Sequence, residues 1–122
     1  MANEISLSAS VSSTKNNVTI SLSASKSVDQ SGNNAAMLIQ SVGTSTEALS
    51  FGADIGNVGF VLVKNTDAAN YVEFDTQTPI GANPFSRLNP GEFFLIPTRQ
   101  TSTLYGKANT AACNVAIMAC PL

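Results

Sequence analysis

Residues 5–10 and 20–25 spell the same hexapeptide, Ile-Ser-Leu-Ser-Ala-Ser, fifteen positions apart, and the offset changes parity. In the first run the apolar residues Ile5, Leu7, Ala9 and Val11 fall on odd positions. In the second, Val18, Ile20, Leu22 and Ala24 fall on even ones. A period of two is the mark of a strand with one apolar face. Two antiparallel runs share that face only if paired residue numbers sum to an odd value, for example Val11 with Val18 or Ile20. An odd sum needs an even-length loop, and Thr14-Lys15-Asn16-Asn17 offers a two-residue turn. Residues 4–27 are therefore expected to form a hairpin with one greasy and one Ser-covered face. Ser and Ala are weak strand formers, and a lone hairpin is marginal in water, so this one relies on packing against something else.

After a polar loop at 26–35, short runs recur at 36–42 (AMLIQSV), 46–51, 58–64 (VGFVLVK), 70–75, 91–97 (GEFFLIP), 102–107 and 113–120 (CNVAIMAC). Turn signals separate them at Gly43, 52–57, 65–70, 78–84 and 89–91. No window of helical length combines a 3.6-residue period with caps. The expected fold is all-β: a single antiparallel β-sandwich or jelly-roll-like barrel carrying a Ser-rich N-terminal hairpin. The expected organisation is one domain over 1–122, with 1–27 as hairpin or docking arm and 36–120 as the sandwich body.

Three stretches, GFVLV, FFLI and VAIM, are apolar at every position. In a sandwich one face of each strand normally meets water, so such strands need cover on both sides. Either a loop or the N-terminal hairpin covers the outer face, or another subunit does. Composition favours the second: charged residues are 11% of the chain, against about 25% in an average soluble domain. A net charge of −2 argues against nucleic acid and against an anionic membrane surface as partner. The opening MANEISLSAS has neither a basic segment nor an apolar core of a secretory signal, and no apolar run approaches the ~20 residues of a membrane span. The expectation is synthesis and folding in a cytoplasm.

Little in the chain suggests catalysis or metal binding. Histidine, the commonest general base and zinc ligand, is absent. Cys113 and Cys120, seven apart in one strand, would lie about 23 Å apart on opposite faces, too far for a disulfide; buried thiols are expected. Glu73 and Asp75 share one face of a strand, but read as its solvent side with Phe74 pointing inward. Arg87 and Arg99 read as surface or interface residues. No catalytic, cofactor or metal site is expected.

Three motifs follow one another in the second half: FVLVKNTDAANYVEFD (60–75), LNPGEFFLIPTRQT (88–101) and LYGKANTAACNVAIM (104–118). Locally, Asn65, Asp67 and Asn70 suit a hairpin connection. Pro90-Gly91 suits a type II turn that launches a strand at Glu92, and Gly106 suits a bend. The order of the motifs resembles that of small single-domain proteins encoded in tailed-phage genomes, often beside virion structural genes. The resemblance covers roughly 60–118; the N-terminal half is similar only in style. It implies a virion structural protein, a capsid decoration (cement) or minor head protein that contacts the major capsid protein or other virion proteins and forms a homo-oligomer, a trimer by expectation. Two alternatives remain: a tail, neck or fibre-tip component binding the host surface through the loop at 78–87, and a self-assembling surface filament subunit. The interface residues expected are Ile5, Leu7, Ala9, Val11, Ile20, Leu22, Phe85, Arg87, Phe93 and Arg99.

Overall fold

The structure, a computed structural model, describes residues 3–31, 34–52, 57–98 and 103–121. The chain divides into two compact units, Met1–Ser31 and Gly32–Leu122.

The first unit is a two-stranded antiparallel ribbon, β1 (Ile5–Lys15) and β2 (Val18–Val28). Lys15 pairs with Val18, so the loop is Asn16-Asn17 alone. Both asparagines have positive φ, 53° and 63°. That is the type I′ turn, whose twist matches that of the flanking strands and which Asn tolerates better than most residues. A loop of two residues at 16 and 17 makes every pair sum to 33, so Val11 pairs with Leu22. The parity rule holds; the pairings with Val18 or Ile20 do not, because the turn lies farther along the chain than they require. Asp29 and Glu4 close the base by accepting hydrogen bonds from the backbone amides of Asn3 (2.7 Å) and Gln30 (3.1 Å).

The second unit is a sandwich of two four-stranded antiparallel sheets. Sheet I has the order β3 (Ala36–Val42), β10 (Cys113–Pro121), β5 (Val58–Asn65), β8 (Phe93–Pro97). Sheet II has the order β4 (Glu47–Ala48), β9 (Tyr105–Ala108), β6 (Val72–Asp75), β7 (Ser86–Leu88). The chain pairs 3 with 10, 4 with 9, 5 with 8 and 6 with 7. These nested pairs are a long hairpin rolled into two layers, the jelly-roll arrangement. The fold is thus the expected all-β sandwich, and its sheets do not close into a barrel.

Among the described strands of this unit, only β6–β7 is a hairpin within one sheet; the other consecutive strands lie in different layers. Two sequence expectations change accordingly. The segment 65–71 is a crossover from sheet I to sheet II, not a hairpin connection. The turn at Pro90-Gly91 is also a crossover. Gly91 has φ 82° and Glu92 N donates to Asn89 O (3.0 Å), as the type II turn requires, but the strand begins at Phe93. Gly106 serves space rather than a bend: a Cβ there would meet Leu49, Val42 and Phe74 at 3.3–3.4 Å.

Apolar residues from both inner faces fill the space between the layers. Val42, Val61, Val63, Val115 and Ile117 come from sheet I, and Val72, Phe74 and Ala108 from sheet II. The Phe74 ring meets Phe94 edge-on across the layers, centroids 5.2 Å apart. Cys113 and Cys120 are free, buried thiols of β10, as expected, and burial pushes both thiol pKa values up. The described residues contain no helix long and apolar enough to cross a membrane.

Polar clamps join the layers at their rims. Gln40 of β3 donates through Nε2 to Glu47 Oε1 (3.1 Å) and to Ala48 O (3.0 Å), and its Oε1 accepts from Ser50 N (2.7 Å). Asn65, at the end of β5, is fully buried. Its Nδ2 donates to Asn70 O and Leu88 O, both at 2.9 Å, and its Oδ1 accepts from Asp67 N (2.9 Å). A buried amide is tolerable only with its hydrogen bonds made, and here one side chain satisfies three backbone groups from different strands and loops.

Candidate functional site

The ribbon has one uniform face and one mostly apolar face. On one face, opposite residues are Ser6 and Ser27, Ser8 and Ser25, Ser10 and Ser23, Ser12 and Ser21, Thr14 and Thr19. Every position there carries a hydroxyl, and Thr14 Oγ1 lies 2.9 Å from Thr19 Oγ1. The other face pairs Ile5 with Val28, Leu7 with Lys26, Ala9 with Ala24, Val11 with Leu22, Ser13 with Ile20 and Lys15 with Val18. Ile5 is buried and Leu7 half-buried; Ala9, Val11, Val18, Ile20 and Leu22 are exposed. Leu7, Ala9, Val11, Ile20 and Leu22, expected at an interface, share this one face of the ribbon. Ile5, expected at an interface with them, is buried at 4% exposure.

The outer face of sheet I is the second apolar surface. Two neighbouring rows carry it, Met37–Met118–Leu62–Leu95 and Ile39–Ala116–Lys64–Phe93; on either side of them the same face holds Cys120–Phe60–Pro97, with Cys120 and Phe60 buried, and the polar pair Ser41–Asn114. Met37, Ile39, Leu62, Phe93 and Met118 are all exposed. This is where the runs apolar at every position deliver their second set of side chains, and Phe93, expected at an interface, belongs to it. Met37, Ile39, Leu62 and Met118 complete the surface but are absent from the residues expected at an interface. The unbroken AMLI of 36–39 carries the signal for β3, and the polar pair Gln40-Ser41 cuts the run short.

The outer face of sheet II is of a different kind. Glu73 stands between Lys107 and Arg87, and Asp75 stands opposite Tyr105. Arg87 donates to Glu73 Oε2 (2.8 Å), and its guanidinium lies 4.2 Å from the Tyr71 ring centroid. Arg87 is therefore engaged within its own chain. Phe85 is exposed at its rim but leans on Phe94, centroids 5.7 Å apart. Arg99 lies outside the described residues. Glu73, with its carboxylate held by Arg87, and Asp75 lie on the solvent side as expected, while Phe74 points inward. Among the described residues, no cluster of three His, Cys, Asp or Glu is placed to hold a metal ion.

The Asp67 carboxylate accepts from Asn70 N (2.7 Å) and Ala69 N (2.9 Å), and these backbone bonds hold its pKa below the usual aspartate value. They shape the crossover; they do not mark a ligand site. No protein-family model, curated protein or solved structure matches this chain.

Proposed function

We propose that this protein is a structural component of a virus particle, a capsid decoration or minor head protein of a tailed phage, that adds contact area to an assembled shell through its N-terminal ribbon. One observation carries the reading. Twenty-two residues are invested in two long strands whose side chains are hydroxyl throughout one face and mostly apolar on the other, most of them exposed. A two-stranded sheet of this kind gains its stability from a partner. The hydroxyl face keeps the ribbon soluble before that partner arrives, and the small side chains admit a close neighbour.

The resemblance of residues 60–118 to small tailed-phage proteins supports the setting, with the major capsid protein as the expected partner. A jelly roll is used in viral capsids but also elsewhere, so the fold carries little weight on its own. The reading assigns no catalysis: binding only the assembled state stabilises that state by mass action, and many copies on one shell add avidity. The host-surface alternative rests on the loop at 78–87, where Arg87 pairs with Glu73 and stacks on Tyr71, and the exposed Phe85 leans on Phe94.

The test uses shells lacking this protein. Purified chain added back should co-sediment with them at a fixed stoichiometry and raise their disruption temperature. Leu22→Asp should abolish both effects while leaving the unfolding midpoint of the free chain unchanged. A chain that ignores shells, or a Leu22→Asp variant that binds them as well as the parent, overturns the proposal.

A further inference from the structure

Two rows of the outer face of sheet I form an exposed apolar surface on the second unit, beside the buried Phe60 and Cys120. Exposure is 76% at Met37, 67% at Ile39, 62% at Phe93, 43% at Met118 and 38% at Leu62. Taken at about 200 Å² for a fully exposed large side chain, these fractions amount to roughly 570 Å² of apolar surface. That is above the ~400 Å² advisable for a patch with no partner. Two such faces brought together bury about 1,100 Å², which passes the ~1,000 Å² a specific interface needs.

We infer that this face is the seat of a second copy of the same chain, sheet I stacked on sheet I across a two-fold axis. Charge decides against a foreign partner. Of the charged residues only Lys64 stands in these two rows, and no acid does. A surface without a charge pattern has little with which to choose or steer a different protein, whereas interfaces between identical chains are the apolar ones. Geometry agrees: sheets stack about 10 Å apart with strands near −30°, an arrangement that a two-fold axis satisfies with the same patch on both sides. The long Lys64 stem can lie along the apolar surface and carry its ammonium to the rim. Met37 and Met118, unbranched and adaptable, suit an interface that must mesh with its own image.

The inference does not depend on the ribbon's partner, and the experiment keeps the two apart. Sedimentation equilibrium of the full chain, without shells, should give a dimer. Ile39→Asp and Met118→Asp should each weaken it at least thirtyfold, and Leu22→Asp on the ribbon should leave it intact. The milder Ile39→Ser with Met118→Ser should also weaken it, with far-ultraviolet dichroism matching the parent, so that misfolding is not mistaken for dissociation. A monomer at all accessible concentrations, a trimer or open polymer, a dimer indifferent to the sheet I substitutions, or one broken by Leu22→Asp overturns the inference. Shell binding by a dimerisation-deficient variant measures the proposed function separately.

Discussion

The two sheets of the sandwich have the same number of strands, the same antiparallel pairing and inner faces that fill the same core, yet their outer faces are opposites. Sheet II presents Lys107, Glu73, Arg87, Asp75 and Tyr105; sheet I presents Met37, Ile39, Leu62, Met118, Phe93 and one lysine. The fold therefore does not require an apolar outer face: sheet II is a worked example, within one molecule, of the same architecture meeting water. What sheet I carries beyond that need is surface suited to another polypeptide. The ribbon repeats the contrast on a smaller scale, one face hydroxyl and the other greasy.

Neighbouring residues of β10 give the sharpest way to break this comparison. Ile117 points inward and is fully buried, while Met118 points outward and is exposed. Ile117→Ala should cost about 3 to 4 kcal/mol in denaturant unfolding, the transfer loss plus a cavity. Met118→Ala, measured dilute enough to keep the chain monomeric, should cost under about 1 kcal/mol. Equal losses would mean that the outer face is already covered by its own chain.

The rim clamps come next. Asn65→Ala leaves Asp67 N, Asn70 O and Leu88 O without that partner and should destabilise by about 2 to 3 kcal/mol. A thermal midpoint unchanged from the parent would show that water replaces the amide without loss. On the polar outer face, Arg87→Ala should leave the unfolding midpoint nearly unchanged, because the pair it forms with Glu73 is exposed on the arginine side. A clear fall would make sheet II depend on its surface charges.

The smallest effect is in acid. Backbone amides of Asn70 and Ala69 hold the Asp67 carboxyl below its ordinary pKa. Its contribution is then present above the ordinary aspartate value and is lost as pH falls through the lowered one. Asp67→Ala should flatten that part of the curve of unfolding midpoint against pH; an unchanged slope would remove Asp67 from the account.

Local rules made the ribbon legible. Alternation with a parity change, and a turn that can hold two residues, are contained in 24 consecutive letters; the partner of Val11 depends on the turn sitting at Asn16-Asn17, which parity alone leaves open. Strands β3, β5 and β10 were legible because they are long and apolar. The short Ser86–Leu88 strand was not, because Ser-Arg-Leu has no alternation to detect; only pairing with β6 makes it a strand. Which strands would pair was also hidden, since β3 and β10 lie more than 70 positions apart and only burial of both sheets selects that match. In sequence, Asn65 has the character of a turn former. Its burial among three backbone partners depends on where the crossover lands, which composition does not carry.

Methionine oxidation tests the central claim most directly, that the apolar outer surface exists to be covered by other polypeptides. Dilute peroxide converts exposed methionine to its sulfoxide, and mass spectrometry reads Met37 and Met118 separately. Both should oxidise readily in dilute chain and become protected in concentrated chain. Oxidation that stays fast at every concentration and in assembled particles would contradict the account.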